Sequence, residues 1–561
     1  MKIIGFDSET VHGEPMTLQF FGERINEIIS VSDKTAEKRF FQALDKLAVA
    51  NELTVLFCHH LAFDMLSIFP MRLRELANGY FEFHTTGWEC EGVYGRPTFA
   101  RFQHNKKSVL IVDTGRFCRA GTKLEQLASE YCPDLPKLKM PTGLGDKRFS
   151  LDDSEFVAYA IRDAEIAYRF GQVIVHWHEL YNVPMSLSGP HLASQVFRRH
   201  YVTDPVILPA REVCYAALRA YHGGIQRAPF GYGFWKKARC IDIVSAYPHA
   251  MAMAPSFTNA RLFKTYTQRG CGLVYPWGIY HATGYARDNQ YPCLWNKNFN
   301  ACGKGEFDIW TTGHELNEFT RQRQGLLRTV QGYYYDEEKD KALKPMQLFV
   351  REFFKKKSEA PNKIERESAK LLLNSLYGKF IQTRVEVEPY YDCESRTFIA
   401  DTSIRAGGLF NPFIAALITG HTRARLCGLE RKYSAIHSAT DGIVSTVFPV
   451  SAEGKRALGD LTIEASGDAL IIRPKLYIIY KRCDDKELLK SRYLPKHRIV
   501  KYALHGFRGS IEDLEKMLVS GKTEYEYTHA IGLRESLRTS LGRANDFIKR
   551  RGNLNVTLSN K

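Results

Sequence analysis

Two carboxylates close an apolar run near the start of the chain: Ile3-Ile4-Gly5-Phe6 is followed by Asp7-Ser8-Glu9. In a strand, residues two apart share a face, so both acids would point into one place. Buried acids are costly unless a cation or hydrogen-bond donors satisfy them, so the fold must bring such groups there. A second strand-like run, LTVLFC, leads into HHLAFDMLSIF and delivers Asp64. Further on, Asp152 or Asp153 can cap a long helix, with Glu155 in its first turn and apolar residues recurring at Phe156, Ala160, Ile166 and Phe170. That helix carries Tyr159 and Asp163 four residues apart and hence on one face. The runs KIIGF, LTVLFC and SVLIVD alternate with helical stretches, as in an α/β domain. Four carboxylates arriving from strand, loop and helix could hold two Mg²⁺ or Mn²⁺ ions about 3.5–4 Å apart, an arrangement suited to phosphodiester hydrolysis. Tyr159 could orient the attacking water. Taken singly, each acid is better explained as a solvated surface charge.

Composition narrows the partners. Lys and Arg number 78 against 62 Asp and Glu, a net charge of +16, which favours a polyanion through counterion release. Charge alone does not separate nucleic acid from an acidic membrane surface. The apolar share of 44% excludes disorder over most of the 561 residues, a length that predicts about three to five domains. No run approaches the roughly 18 apolar residues of a membrane span, the best being FIAALITG. Two acids within MKIIGFDSET are unlike a signal peptide, so a soluble, cytoplasmic chain is expected. The twelve cysteines are scattered without a CxxC pair, which argues against a zinc ribbon and for buried, reduced thiols. There is no obvious signal for a homo-oligomer.

The segment NVPMSLSGP after residue 181 is a plausible boundary. Residues 254–345 are irregular, with short strand-like runs such as GIYHATGYA. Helices follow in MQLFVREFFKKKSEA and KIERESAKLLLNSLYG, broken at Pro361, and strands return at SAIHS, GIVSTVF and PKLYIIY. The last fifty residues read as helical and basic, with Ser510 as a cap and Asp513 at its third position.

The second half holds another constellation. In Cys240-Ile241-Asp242-Ile243-Val244-Ser245-Ala246-Tyr247-Pro248 a buried strand ends in Asp242, a possible metal ligand. The following turn, at Ser245 and Ala246, lets backbone amides face a triphosphate, and Tyr247 stands where a ring can block a ribose 2′-OH. On a helix, Lys370, Asn374 and Tyr377 of KLLLNSLYG would form one polar stripe, able to neutralise and bind incoming phosphates and to pack on a nascent base pair. Gly378 allows close backbone approach. Lys355, Lys356, Lys357 and Arg366 would make this helical pair electropositive, although a solvated face explains them equally. Ala439-Thr440-Asp441-Gly442 lies between two strand-like runs, where a type I′ hairpin turn accounts for it as well as a metal site does. Alternation places Lys475 and Tyr477 on one strand face. Tyr221-His222-Gly223-Gly224 ends in a Gly-Gly pair, which an ordinary turn also explains. Between Arg473 and Arg508, eleven Lys and Arg residues are interleaved with Tyr477, Tyr480, Tyr493, Tyr502 and Phe507, as a nucleic-acid track requires.

In this order and spacing the motifs resemble family B DNA polymerases. DxE, FD after a strand and YxxxD resemble the three motifs of the DEDD-type 3′–5′ proofreading exonuclease, with one departure: His60 stands where the family has Asn, which bears on how single-stranded DNA is held. Lys139, or Lys137 equally near, would be the basic group that stabilises phosphate charge. CIDIVSAYP resembles motif A, KLLLNSLYG matches motif B at every defined position, and SATDG resembles motif C (DTDS in the family) with Ala439 and Gly442 substituted. Lys475-Leu476-Tyr477 resembles KxY, and YHGG resembles YxGG. The compact protein-primed polymerases of phages and linear plasmids are the most similar subfamily.

The resemblance implies an α/β and α+β multidomain fold, a ribonuclease H-like exonuclease domain plus a right hand of palm, fingers and thumb. The expected division is exonuclease 1–183, palm 184–253 and 409–505, terminal-protein-region-like insertions 254–345 and 382–408, fingers 346–381 and thumb 506–561. It further implies two Mg²⁺ ions (Mn²⁺ possible) per active site, on Asp242 and Asp441 for synthesis and on Asp7, Glu9, Asp64 and Asp163 for degradation. Primer–template DNA, dNTPs and a terminal protein are the implied partners. Competing readings are a polymerase extending ordinary primers, a nuclease whose second half only grips substrate, and a polymerase-like DNA-binding protein impaired at Ala439.

Overall fold

The computed structural model describes residues 1–11, 14–69, 80–93, 99–119, 121–141, 151–270, 272–298, 300–392, 397–447, 457–482, 497–520, 522–530 and 547–554. Cys271, Cys393, Cys483 and Tyr493 lie outside these. Contacts divide the chain into two units, one of Met1–Val196, Glu359–Leu372 and Thr528–Arg550, the other of Phe197–Ser358, Leu373–Tyr527 and Arg551–Lys561. The first unit thus runs past the plausible boundary after residue 181.

The first unit is built on an eight-stranded mixed sheet, ordered β3-β2-β1-β4-β8-β7-β6-β5. Its strands are β1 (Lys2–Val11), β2 (Glu14–Gly22), β3 (Ile25–Ser30), β4 (Leu53–Cys58), β5 (Tyr80–Thr85), β6 (Trp88–Val93), β7 (Phe99–His104) and β8 (Lys107–Asp113). The three runs read as strands in the sequence are β1, β4 and β8, and these pair parallel to one another at the centre. Central parallel strands are covered on both faces, which is why β4 and β8 are continuous apolar runs. Helices α1 (Ala36–Leu47) and α2 (Leu61–Ile68) contribute to one core, where Phe6, Phe20, Phe40, Phe41, Phe69 and Phe102 interlock. After α3 (Leu124–Tyr131) comes the long helix, α4 (Ser154–Leu180), whose N-terminus is capped by Asp153 accepting from the amides of Glu155 and Phe156. It packs along β1, β2 and β4. Gly5 permits this: a Cβ there would lie 1.9 Å from the Ala164 carbonyl oxygen.

After α5 (Gly189–His200) and α6 (Arg211–Ala220), the second unit is built on a seven-stranded antiparallel sheet, ordered β21-β20-β19-β10-β18-β17-β9. Its strands are β9 (Gln226–Arg227), β10 (Gly233–Ile243), β17 (His437–Ala439), β18 (Gly442–Ser445), β19 (Leu461–Arg473), β20 (Leu476–Arg482) and β21 (His497–Leu504). Helix α7 (Ala246–Met253) follows β10 directly. The irregular region forms a four-stranded sheet of β11 (Phe263–Arg269), β12 (Gly278–Ala286), β13 (Gly305–Thr312) and β14 (Gly325–Tyr335), with helix α8 (Gly313–Arg321). The helical pair broken at Pro361 is α9 (Pro345–Glu359) and α10 (Lys363–Ser375). Strands β15 (Thr383–Asp392) and β16 (Thr397–Ala406) pair as a long hairpin, and α11 (Pro412–Lys432) packs against α6, α7, α8 and β13.

Past residue 510 the described residues differ from expectation, and residues 531–546 and 555–561 lie outside them. After α12 (Ile511–Ser520), where Ser510 and Asp513 cap reciprocally, the chain forms strands β22 (Glu524–Ala530) and β23 (Phe547–Asn553). The alternating tyrosines of EYEYTHA favour a strand, and Tyr525 packs its ring 4.4 Å from Phe507. No helix among the described residues is long and apolar enough to cross a membrane.

Candidate active sites

In the first unit β1 presents Asp7 and Glu9 on one face, and α4 presents Tyr159 and Asp163 toward them. Carboxylate oxygens of Asp7, Glu9 and Asp163 lie within 4.8 Å of one another. Asp64, in the first turn of α2, is buried beside them. Burial, reinforced by Asp64, Asp163 and Glu9, holds the Asp7 carboxyl well above its ordinary range. Burial, then Asp163, pushes Glu9 up to about 8, and burial raises Asp64 to about 7 against the hydrogen bonds it accepts. Asp163 Oδ1 is buried with no hydrogen-bond partner. Crowded acids with an orphaned oxygen fit a divalent cation.

Between the two candidate lysines, the geometry selects Lys137. Its ammonium pairs with Asp163 and stands 4.9 Å from the Tyr159 ring centroid, whereas Lys139 is exposed. His60 is also exposed, in the left-handed region at φ 65°, and its amide donates to Asp113 Oδ1 at 3.1 Å. The neighbouring His59 is buried, with ring nitrogens 2.9 Å from Thr114 Oγ1 and 3.0 Å from the Thr122 carbonyl oxygen.

In the second unit β10 carries Asp242 one residue before its end, opposite Gly442 of β18. Asp441 sits in the two-residue turn between β17 and β18, and its carbonyl accepts from the Ile243 amide at 2.9 Å. A Cβ at position 442 would lie 2.8 Å from Asp242 Oδ1, so glycine leaves that carboxylate room. Burial, then Asp441 and Glu464, pushes Asp242 up to about 8, and burial followed by Glu464 raises Asp441. Sequence reasoning missed Glu464. It is the extra residue at a bulge in β19, opposite Cys240 and Ile241, and it pairs with Lys501 of β21. Its one sequence signal is an acid within a strand-like run. Asp242 and Asp441 repel one another as half-buried carboxylates, a charge that a cation would offset.

Residues from three motifs gather around Asp441. Ser245 takes φ 52° and starts α7, placing the Tyr247 ring on Tyr377 with centroids 4.2 Å apart and planes 18° from parallel. Gly224 lies beneath: a Cβ there would stand 3.0 Å from Thr440 Cα and 3.1 Å from the Tyr247 hydroxyl. The Thr440 amide donates to the Ile225 carbonyl at 2.7 Å. The buried Arg423, also missed, binds Glu315 in two places, at 2.8 and 3.0 Å, and donates to the carbonyls of His222 and Gly223. Tyr221 ends α6 just before this loop.

Three expectations need correction. Helix α10 ends at Ser375, so Tyr377 lies in the following 3-10 turn rather than on a continuous helical stripe with Lys370 and Asn374. The division between units also falls between Leu372 and Leu373, which puts Lys370 in the first unit, where it pairs with Glu367 at 3.0 Å. Lys475 does not share a strand face with Tyr477. It occupies the turn before β20 at φ 57°, with its amide donating to His437 Nε2 at 3.0 Å, while Tyr477 is buried against the His437 ring. Of the described aromatic residues in the basic stretch, Tyr477, Tyr480 and Phe507 are buried in the core and only Tyr502 is exposed.

Residues 154–391 match the family described as DNA polymerase type B, organellar and viral. The chain resembles a type B DNA polymerase. Solved structures agree in fold over nearly the whole length. Phi29 DNA polymerase complexed with single-stranded DNA matches with a TM-score of 0.66 and 16% identity, over 94% of this chain and 95% of that one. The same polymerase complexed with primer–template DNA matches at 0.68 and 14% identity, over 98% and 100%. With primer–template DNA and incoming nucleotides it matches at 0.66 and 14%, over 99% and 100%. A search of curated proteins finds no match. Against the polymerase motif C, the Gly442 departure has a local reason in the space Asp242 occupies.

Proposed function

We propose that the chain is a DNA-directed DNA polymerase with a 3′–5′ proofreading exonuclease, which replicates a phage or linear-element genome from a protein primer in the host cytoplasm. The observation that carries this reading is the convergence of Asp242 and Asp441 with Tyr247, Tyr377 and the Gly224 loop. In this reading residues 1–183 are a ribonuclease H-like exonuclease domain. Residues 184–253 and 409–505 are the palm, 346–381 the fingers and 506–561 the thumb, with insertions at 254–345 and 382–408.

Synthesis is in-line attack of the primer 3′-OH on the α-phosphate of a dNTP, releasing pyrophosphate. Asp242 and Asp441 would hold two Mg²⁺ ions, which supply activation of the 3′-OH and stabilisation of the leaving pyrophosphate. The amides at Ser245 and Ala246, with Lys370 and Asn374, bind the triphosphate. Tyr377 packs on the nascent base pair, and Tyr247 occupies the space a 2′-OH would need. Tyr221, Gly223 and Gly224 follow the template, and Lys475 and Tyr477 support the primer terminus. A mispaired end is hydrolysed at Asp7, Glu9, Asp64 and Asp163, which would hold a second pair of ions. There Tyr159 orients the water, Lys137 offsets developing phosphate charge, and His60 meets the single strand.

The test is a 5′-labelled primer on a longer template, incubated with Mg²⁺. The primer should lengthen with dNTPs and shorten without them. A band that only shortens would remove the polymerase reading, and an unchanged band would remove both activities. Protein priming predicts a labelled nucleotide covalently attached to a partner protein.

A further inference from the structure

The four acids of the first unit are not held alike. Asp7, Glu9 and Asp163 converge on one another, and one Asp163 oxygen has no partner. Asp64 is instead held by neutral donors, one on each oxygen. The Ser8 hydroxyl donates to its Oδ1 at 2.7 Å, and the Cys58 thiol to its Oδ2 at 2.9 Å.

The arrangement follows from strand geometry. Alternation turns Ser8 away from the face shared by Asp7 and Glu9. Strand β1 pairs with β4 only from Lys2 to Gly5, and β4 ends at Cys58, so β1 runs on beyond its neighbour. Asp64, from the first turn of α2, reaches Ser8 there. Ser8, Cys58 and Asp64 are 4%, 0% and 1% exposed, so water has no share in setting the carboxylate's direction. Two neutral donors fix that direction and leave the negative charge in place, as partners behind a metal ligand do.

We propose that Ser8 and Cys58 are positioning residues for hydrolysis of the primer end, holding Asp64 in the orientation from which it serves a divalent cation beside Asp7, Glu9 and Asp163. The inference rests on the proofreading reading and deepens it. It assigns a task to two residues that no motif singles out, one being the variable residue inside DxE.

Two measurements on the full chain test it. The first is Mn²⁺ binding, followed by the electron paramagnetic resonance of the free ion, in an Asp242→Asn background that weakens the other cluster. Ser8→Ala and Cys58→Ala should each weaken binding at the first-unit cluster by about tenfold or more. The second is hydrolysis of a single-stranded oligonucleotide with Asp242 intact, where kcat should fall by a similar factor and KM should hold. Ser8→Thr and Cys58→Ser keep a donor and should recover most of both losses. Primer extension by the same variants, with thermal melts, reports whether the fold survives.

Alanine variants that bind Mn²⁺ and hydrolyse as the parent does would overturn the proposal. So would Thr and Ser variants as impaired as the alanines, because packing would then be what matters. A parent chain that degrades no oligonucleotide would overturn the proofreading reading instead, and the Mn²⁺ titration would still decide what Ser8 and Cys58 do.

Discussion

Glu9 and Asp242, both pushed up to about 8, keep their protons over a range where the same residues in an unfolded chain are ionised. These two acids make the folded state bind extra protons up to about pH 8. Histidines held down by burial, His59, His222 and His437 at about 4 among them, make it bind fewer below roughly pH 6.5. Above that point stability should fall as pH rises. In chelator, the melting temperature should drop from pH 6.5 to pH 8.5. Mg²⁺ should restore much of the loss at pH 8.5 and add little at pH 6.5, where protons already neutralise the acids. A melting temperature indifferent to Mg²⁺ at the higher pH would mean that neither cluster takes the ion. Tyr247 supports a second prediction. Its ring is fixed by the stack on Tyr377 and by the close approach of Gly224, so Tyr247→Val should open space for a 2′-OH. Discrimination between dCTP and CTP, taken as a ratio of kcat/KM, should fall at least about tenfold, equivalent to roughly 1.4 kcal/mol. An unchanged ratio would place the sugar elsewhere.

At the scale of elements, the first cluster depends on how closely β1 lies against α4. Gly5→Ala would press a methyl into the Ala164 carbonyl, and the strand would have to move off the helix that carries Asp163. Overpacking of this kind costs about 1–3 kcal/mol or more, so primer degradation should fall sharply and the melt should shift down by several degrees. Extension should persist, because Asp242 and Asp441 lie in the other unit. A Gly5→Ala chain degrading at the parent's rate would show that Asp7 and Glu9 reach Asp163 without that approach. Much of this architecture was legible because it is local. Short apolar runs marked β1, β4 and β8, Asp152 or Asp153 marked the start of α4, and Asp7, Glu9, Asp64, Asp242 and Asp441 announced themselves by closing or following apolar runs. What remained hidden depends on contacts distant in sequence or on a break in regularity. A bulge turns Glu464 toward Asp242, a left-handed turn takes Lys475 out of alternation with Tyr477, and Arg423 meets Glu315 across 108 residues. Ser8 and Cys58 were invisible for a further reason: hydroxyl and thiol donors carry no charge to mark them.

For the whole molecule, the net charge of +16 and the paired acids pull in opposite directions, and the two acid clusters lie in different units. Positive charge grips a polyanion wherever it lies. Affinity for a primer–template should therefore fall steeply with salt, with a log–log slope set by the number of phosphates neutralised, about −0.9 for each. Neither Asp7→Ala nor Asp242→Ala should change that slope, because each removes an acid and no cation. Chemistry should separate cleanly where binding does not. Asp242 and Asp441 belong to one unit, and Asp7, Glu9, Asp64 and Asp163 to the other. Asp242→Ala should abolish extension and leave degradation, while Asp7→Ala should do the reverse, each loss being at least about a hundredfold, or roughly 2.7 kcal/mol of barrier. Reading extension, degradation and salt slope on the same two variants distinguishes the alternatives. If one substitution removed both activities with the melt and salt slope intact, the two carboxylate clusters would have to act as one site. If neither affected anything but binding, the chain would be a DNA-binding protein that has kept the polymerase fold.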